Sequence, residues 1–324
     1  MPKRPTGEGL RIGVTSDRPR HAAALMVGAL FLLGLQDAVV KLTSVDLSLW
    51  QFQMLRSALN LALLFTATHI LWRASAPRPK RLWTVALRSL LMVCTMVFYF
   101  GAVPFLNLAE IAAGLYVFPL FVAVLSALLL RERVGPRRIA AILVGFGGTL
   151  LILKPTAAAF QPVALMPVAA ALFYAGTILT TRRLCREESP VTLSLGVAIT
   201  FLCVGIVGVS VFTFAGDTAM ARAWPYLFTG WHDTGIAIVA LIAVCSVINL
   251  VSNIALARAY QSAEASWLVP FDYSYIVFAA FWGYVFWAHI PDKTTILGII
   301  MIAGAGGFVA WRERQAAKGY TKER

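Results

Sequence analysis

The sequence predicts an all-α, polytopic membrane protein whose ten transmembrane helices form two inverted five-helix repeats. The first observation is composition. Of the 324 residues, 59% are hydrophobic and only 13% are charged, which leaves too little polar material to cover a soluble globular protein. The second is the length of the uncharged runs, such as 89–109, 111–130 and 189–216. Each is close to the ~20 residues with which a helix crosses ~30 Å of hydrocarbon.

The third observation is an internal repeat that joins residues 109–153 to residues 263–311. Each copy holds a long apolar run, a short polar break, and a second apolar run with clustered glycines near its end. An offset of about 157 residues aligns Tyr116 with Tyr273 and Gly147 with Gly304. A repeat at half the chain length predicts two structurally similar halves.

The cations fix the predicted topology. The helices are expected at about 22–44, 48–72, 82–102, 109–130, 137–153, 163–184, 191–215, 235–258, 265–288 and 293–311. Of the 28 lysines and arginines, 22 fall in the two tails and in the loops after helices 2, 4, 6 and 8, three fall on the opposite side, and three lie within helices. Since cytoplasmic loops carry the excess of Lys and Arg, both termini are predicted to be cytoplasmic.

The chain then divides into a disordered tail (1–21), a first repeat (22–153), a second repeat (163–311) and a basic tail (312–324). Because each half has an odd number of helices, the second must enter the membrane inverted relative to the first. The loops agree, since residues 131–138 are strongly basic and their counterparts at 289–295 are nearly neutral. Inverted repeats are common in secondary transporters, with the substrate site near mid-membrane between the halves.

Three stretches resemble the EamA-type carriers of the drug/metabolite transporter superfamily. They are QDAVVKLTSVDLSLWQFQMLRSALN at 36–60, LAEIAAGLYVFPLFVAVLSALLLRERVG at 108–135 and PFDYSYIVFAAFWGYVFWAHIPD at 270–292. The first is also similar to S-adenosylmethionine-uptake and related metabolite and amino-acid carriers. The resemblance covers about 22–311 and departs from the family pattern at His289, where a glutamate is usual.

This resemblance implies a carrier in the bacterial cytoplasmic membrane that moves a small organic metabolite by alternating access. The compound would be an amino acid, an S-adenosylmethionine-like molecule or another amphipathic substance. The resemblance also implies a cavity lined by helices 1, 3, 4, 6, 8 and 9, with exposure alternating as the halves rock. A lipid-carrier flippase and a non-transporting membrane partner remain the alternative functions.

Charged side chains within the predicted helices are candidates for coupling or gating, because a charge inside a bilayer is costly. They are Asp37, Arg56, Arg88 and Asp272, together with Lys41. Helix positions place Asp37 and Arg56 at one depth and Arg88 with Asp272 at another, so each of these two pairs could form an ion pair. The second would join the halves as an inner gate; the alternatives are a static pair that neutralises two buried charges, or an Arg88 that snorkels to the inner interface. Lys41 is expected to snorkel towards the outer surface.

Aromatic and amide side chains at mid-depth are the candidates for substrate binding, because flat apolar faces with polar tips suit a ring-bearing or amphipathic compound. They are Tyr99, Tyr116, Phe118, Tyr174, Asn249, Trp267, Tyr273 and Trp282, with Tyr275 in the same group. Simple packing is the alternative for each. Pro119 and Pro270 predict interruptions of helices 4 and 9. The loop at 216–234 is expected to be an interfacial anchor or a lid.

Several classes of function find no support in the sequence. It contains no phosphate-binding glycine loop followed by Lys and Ser or Thr, so direct ATP drive is not expected. The four histidines and four cysteines are scattered, which predicts no metal site, cofactor, disulfide framework or catalytic cluster. The partners expected are therefore the lipid bilayer and a metabolite, with no nucleic acid. Proton coupling through Asp37 or Asp272 stays open, as does the choice between monomer and homodimer.

Overall fold

The computed structural model describes residues 19–66, 79–130, 136–153, 162–262, 268 and 271–322, and the regular elements in these ranges are all helical. The helices are α1 (Pro19–Thr43), α2 (Leu49–Thr66), α3 (Leu82–Gly101), α4 (Leu108–Leu115), α5 (Phe118–Leu130), α6 (Pro136–Leu153), α7 (Leu165–Leu184), α8 (Pro190–Ala215), α9 (Ala219–Ala223), α10 (Pro225–Phe228), α11 (Ile236–Ser262), α12 (Ser274–Trp287) and α13 (Lys293–Lys322). Within these ranges six helical spans are long and apolar enough to cross a membrane, and three shorter apolar helices accompany them. The protein is a polytopic helical membrane protein.

Most predicted helices lie within a few residues of the observed ones, and the differences have local causes. Predicted helix 4 is two helices, α4 and α5, interrupted at Tyr116 and Val117. The ring of Pro119 excludes the carbonyl of Leu115, four residues earlier, and α4 ends at that residue. The last helix continues through the predicted basic tail to Lys322. Apart from its final residues in α1, the predicted N-terminal tail lies outside the described residues, as does Pro270.

The helices pack in a closed ring. Successive neighbours are α1, α11, α2, α8, α3, α7, the α4–α5 pair and α12, which returns to α1. Helices α6 and α13 pair outside this ring and pack against α4 and α5. Exchanging the two halves preserves the order of contacts around the ring: α1 with α11 corresponds to α7 with α3, and α1 with α12 corresponds to α7 with the α4–α5 pair.

The ring interlocks the two halves of the chain. Among the described helices, each of the most extensive contacts joins a first-half helix to a second-half helix, as in α1 with α11, α2 with α8 and α6 with α13. Neither half packs as a separate body. The two sequence halves are therefore interlocked through contacts between their helices.

Loops that were predicted to share a side of the membrane meet at the same end of the ring. At the predicted outer end, Ser48 donates a hydrogen bond to the Gly230 carbonyl at 2.7 Å, and Trp50 donates to the Leu227 carbonyl at 2.7 Å. At the other end, the backbone N–H of Arg81 donates to the Glu188 carboxylate at 2.8 Å. The segment 216–234, with α9 and α10, is thus fastened across the start of α2.

Candidate functional site

The carboxylate of Asp37 lies at the centre of the ring and joins three helices. Asp37 is on α1, and its Oδ2 accepts hydrogen bonds from Tyr99 of α3, at 2.7 Å, and from Tyr275 of α12. The two tyrosine hydroxyls are also 2.5 Å from each other. All three residues are buried, with 3%, 3% and 7% of their surface exposed. A carboxylate that accepts from two hydroxyls meets the requirement that a buried charge be hydrogen-bonded.

A second carboxylate belongs to the same group of aromatic side chains. The ring of Tyr116 stacks on Tyr275, with centroids 5.5 Å apart and planes inclined at 20°. Its hydroxyl donates to the backbone carbonyl of Asp272 at 3.0 Å and lies 3.4 Å from the Asp272 carboxylate. The ring of Tyr273 also packs on Tyr116, with centroids 5.4 Å apart and planes inclined at 57°. Tyr116 therefore connects the surroundings of Asp37 with those of Asp272.

Phe118 and Tyr174 extend this group towards α7. Phe118 lies 5.9 Å from Tyr116, and Tyr174 meets Phe118 edge to face at 4.8 Å. Of the predicted binding residues, Tyr99, Tyr116, Phe118, Tyr174 and Tyr273 come together with Asp37 and Asp272. We call this set, together with Tyr275, the tyrosine cluster.

Neither of the two ion pairs that helix depth allowed is formed among the described residues. Arg88 donates to the Thr181 hydroxyl at 3.1 Å and to the Leu193 carbonyl at 3.3 Å, so it binds α7 and α8 rather than Asp272. Arg56 lies among aromatic rings, while Asp37 is held by tyrosines. Both carboxylates bind hydroxyls because tyrosines from neighbouring helices reach them.

The remaining predicted binding residues either lie away from the tyrosine cluster or fall outside the residues that the structure describes. The indole N–H of Trp282 donates to the Phe31 carbonyl at 3.1 Å, and its ring packs on Phe31 at 4.9 Å, so Trp282 fastens α12 to α1. Asn249 is half-buried on α11, and its carbonyl accepts from the exposed Asn253 at 2.7 Å. Trp267 lies outside the described residues.

An open cavity of about 580 Å³ occupies the predicted outer end of the ring. Lys41, Tyr226, His232, Trp287 and His289 are among the side chains that line it. Lys41 does not extend freely to the surface as expected. Its ammonium donates to the Leu106 carbonyl at 2.5 Å and lies 5.3 Å from the centre of the Trp287 ring. Lys41 therefore ties the end of α1 to the α3–α4 connection and to α12.

Several polar residues at the site were not among the candidates. Gln36 lies next to Asp37 in the sequence and is buried on α1, and Tyr260 at the end of α11 lies near enough to Asp272 and Tyr174 to interact with them electrostatically. Gln53 is buried on α2 with no hydrogen-bond partner for its amide. An amide inside an apolar helix is as unusual as a charge there, and that signal in the sequence could have identified Gln36 and Gln53.

Known proteins share this architecture and sequence pattern. The sequence profile of the EamA-like transporter family matches residues 21–154. The chain is 27% identical to the pseudopaline exporter CntI of Pseudomonas aeruginosa, over 89% of this chain and 95% of the exporter. A solved crystal structure aligns over 89% of this chain and 96% of its own, with a TM-score of 0.54 and 19% identity, which shows a shared fold.

Two further groups of relatives align over a shorter region. The chain is 29% identical to a riboflavin transporter of Vibrio cholerae over 62% of each protein. It is 27% identical to an S-adenosylmethionine uptake transporter of Rickettsia bellii over 61% of this chain and 62% of the relative. The chain thus matches less than two thirds of the length of these two relatives. Together the matches confirm the resemblance found in the sequence: the chain is similar to the EamA-like transporters of the drug/metabolite transporter superfamily. The similar proteins named here are transporters or exporters of small molecules.

Proposed function

We propose that this protein is a secondary carrier that moves a small organic metabolite across the bacterial cytoplasmic membrane by alternating access. The substrate binds at the tyrosine cluster, where helices of both halves meet. Both termini face the cytoplasm, and the second five-helix half is inverted relative to the first. The transporter names of the relatives and the exchange symmetry of the helix contacts support this proposal.

The observation that carries the proposal is the shared carboxylate of Asp37. Tyr99 of the first half and Tyr275 of the second half bind the same oxygen atom. Any rearrangement that separates α3 from α12 must break one of these bonds. A substrate with a donor group can replace the hydroxyl that leaves, which links occupancy of the site to the position of the helices.

The rings around Asp37 suit a flat or amphipathic compound. Tyr116, Tyr275 and Phe118 offer apolar faces, and the tyrosine hydroxyls offer donors at their edges. In this structure the Asp37 end of the cluster is buried, so the site is closed on that side. Access then requires movement of the surrounding helices, as alternating access demands.

Proton coupling through Asp37 is part of the proposal. A carboxylate that binds either a proton or a substrate donor, in competition, would exchange one for the other across the membrane. Among the described residues, the Asp272 carboxylate has one side-chain donor, Tyr116, and Asp272 is the second proton acceptor to test.

The test is transport by the purified protein in liposomes. Riboflavin, S-adenosylmethionine and amino acids are offered separately, with and without an imposed pH gradient, because the relatives include both uptake and export proteins. We expect saturable transport of at least one compound, abolished in Asp37→Asn, which keeps the size of the side chain. A pH gradient should accelerate transport only in the unsubstituted protein. If no compound of these classes crosses faster than in empty liposomes, the proposal fails.

A further inference from the structure

Arg56 is a buried cation without a counter-ion. It lies on α2 with 5% of its surface exposed, and it makes no hydrogen bond or ion pair within the described ranges. Its Nε is buried and unpartnered. The guanidinium carbon lies 5.3 Å from the ring of Phe52, 5.0 Å from Phe100 and 6.0 Å from Phe201. Three aromatic rings therefore surround the charge.

The aromatic surroundings do not replace an anion. Cation–π contacts stabilise a guanidinium, but the rings accept no N–H···O hydrogen bonds, and Arg has five N–H donors to satisfy. Among the described carboxylates, Asp37 is the one whose charge acts on Arg56, and Tyr99 and Tyr275 occupy that carboxylate. A buried charge lacking a partner is costly, so such a site is complete only when an anion is bound.

Other unsatisfied polar groups lie in the same part of the ring. Gln53, one helical turn before Arg56 on α2, has both amide atoms buried without partners. The hydroxyl of Tyr226 is also buried and unpartnered, near enough to Arg56 to interact with it electrostatically. Burial raises the pKa of Tyr226 above its usual range, so the hydroxyl remains protonated and can donate. Within the described part of the chain, Arg56, Gln53 and Tyr226 thus each hold a buried polar group without a hydrogen-bond partner, with Gln53 one turn from Arg56 and Tyr226 near it.

A route connects this place with the outer cavity. Tyr226 lines that cavity and is also packed among the buried residues that include Phe52, Phe100 and Cys245. Lys41, His232 and His289 supply basic side chains to the cavity wall. An anion drawn into the cavity by these groups would reach Arg56 by displacing Tyr226.

We propose that Arg56, with Gln53 and Tyr226, binds the carboxylate of the transported compound. Arg56 and Asp37 are then two fixed side chains of opposite charge inside the same helix ring. This arrangement suits a zwitterion whose carboxylate binds Arg56 and whose cationic group approaches Asp37. The inference rests on the proposed carrier function and narrows its substrates to compounds that bear a carboxylate. A guanidinium binds a carboxylate through two parallel hydrogen bonds, which a lysine ammonium cannot reproduce.

The test compares three compounds that share a phenyl ring: L-phenylalanine, 3-phenylpropionate and 2-phenylethylamine. Thermal unfolding of the full-length protein in detergent is followed at constant ionic strength. A separate sample with sodium chloride tests whether a simple inorganic anion has the same effect. We expect the two carboxylates to raise the melting temperature by roughly 2 °C or more at saturation, and the amine and chloride to have less effect. Arg56→Met should abolish the effect of 3-phenylpropionate, and Arg56→Lys should weaken it about tenfold.

Arg88→Met is the matched control, because Arg88 is a second arginine within the helices. Unlike Arg56, it already donates hydrogen bonds, from Nε to Thr181 and from Nη1 to the Leu193 carbonyl. It should keep the stabilisation by carboxylates. Arg56→Met removes a charge that has no partner, so without ligand it should unfold at or above the temperature of the unsubstituted protein. The inference is overturned if carboxylates do not stabilise the protein, if chloride alone accounts for the effect, or if Arg56→Met responds normally. Stabilisation by carboxylates together with no transport in liposomes would instead contradict the carrier function alone.

Discussion

Tyr275 of the second half donates its hydroxyl hydrogen to the carboxylate of Asp37 in the first half. The two residues are 238 positions apart in the sequence. Tyr99 binds the same oxygen, so the carboxylate holds α1, α3 and α12 together. This arrangement makes Asp37 the point at which protonation, substrate binding and helix movement can affect one another.

Removing the Tyr275 hydroxyl should impair transport much more than removing that of Tyr273. A hydrogen bond to a charged group contributes about 1.5–3 kcal/mol, so Tyr275→Phe is expected to lower the transport rate roughly tenfold or more. The hydroxyl of Tyr273 is buried and unpartnered, and it lies against Gly306. Tyr273→Phe should therefore leave the rate within about a factor of two. Initial rates in liposomes measure both.

Melting temperatures of the same two variants provide the control for folding. Both should unfold within a few degrees of the unsubstituted protein, since only one hydroxyl is lost in each. Equal rates for the two variants would show that the bond to Asp37 has no part in transport.

The fold was largely predictable from the sequence because it depends on features that can be read along the chain, namely uncharged runs, prolines and an internal repeat. Runs without charges marked the membrane spans, and Pro119 marked the break after Leu115. The repeat offset paired Tyr116 with Tyr273, and both lie where a helix is interrupted, Tyr273 immediately before α12. The membership of the tyrosine cluster followed from the cost of placing polar groups at mid-depth.

The partners of the charges were not predictable in the same way. Depth follows from counting residues along a helix, whereas pairing depends on how each helix is rotated about its axis and which neighbours it has. Asp37 and Arg56 share a depth but bind different groups, because Tyr99 and Tyr275 reach Asp37 while Phe52 and Phe100 surround Arg56. The ring order of the helices, which decides these contacts, is not visible in the hydropathy pattern.

Arg88 and Asp272 should show little energetic coupling. A double-mutant cycle with Arg88→Met and Asp272→Asn is expected to give a coupling energy below about 0.5 kcal/mol in unfolding measurements. The cycle of Arg88→Met with Thr181→Val should give about 1 kcal/mol, because that pair shares a hydrogen bond of 3.1 Å. A coupling above about 1.5 kcal/mol between Arg88 and Asp272 would restore the inner ion pair as a feature of the resting protein.

The contact between α6 and α13 should tolerate no added methyl group at Gly148. A Cβ there would lie 2.8 Å from the Gly298 carbonyl oxygen, a backbone atom that cannot move alone. Gly148→Ala is expected to cost about 1–3 kcal/mol in unfolding free energy through overpacking. Gly304→Ala, on the same helix pair, meets nothing within 4 Å and should be neutral or slightly stabilising, because Ala favours the helix. Thermal unfolding compares the two, and similar losses would show that helix propensity rather than proximity governs these positions.

Lys41 should control access from the outer cavity. Its bonds to the Leu106 carbonyl and its place over the Trp287 ring hold the outer ends of α1 and α12 near the α3–α4 connection. Lys41→Met removes both interactions and should favour opening at that end. Cys245 is a free thiol that is fully buried in the same group of packed residues as Tyr226, so its labelling can report the opening. In a variant whose other three cysteines are serine, a membrane-impermeant maleimide added from outside should label Cys245 several-fold faster when Lys41 is Met.

Arg222→Met is the matched control for this labelling, because Arg222 is an exposed cation in the outer segment whose bonds go to the exposed Asp217. It removes the same charge from the same side without loosening α1. Lys41→Arg should also label slowly, since it keeps a cation that can reach the carbonyl and the ring. Because tight binding at the tyrosine cluster requires closed helices, transported substrate should slow the labelling of Lys41→Met. If Lys41→Met and Arg222→Met label at the same rate, surface charge rather than the Lys41 contacts determines entry, and the outer end must be held closed by the hydrogen bonds of Ser48 and Trp50 to the loop.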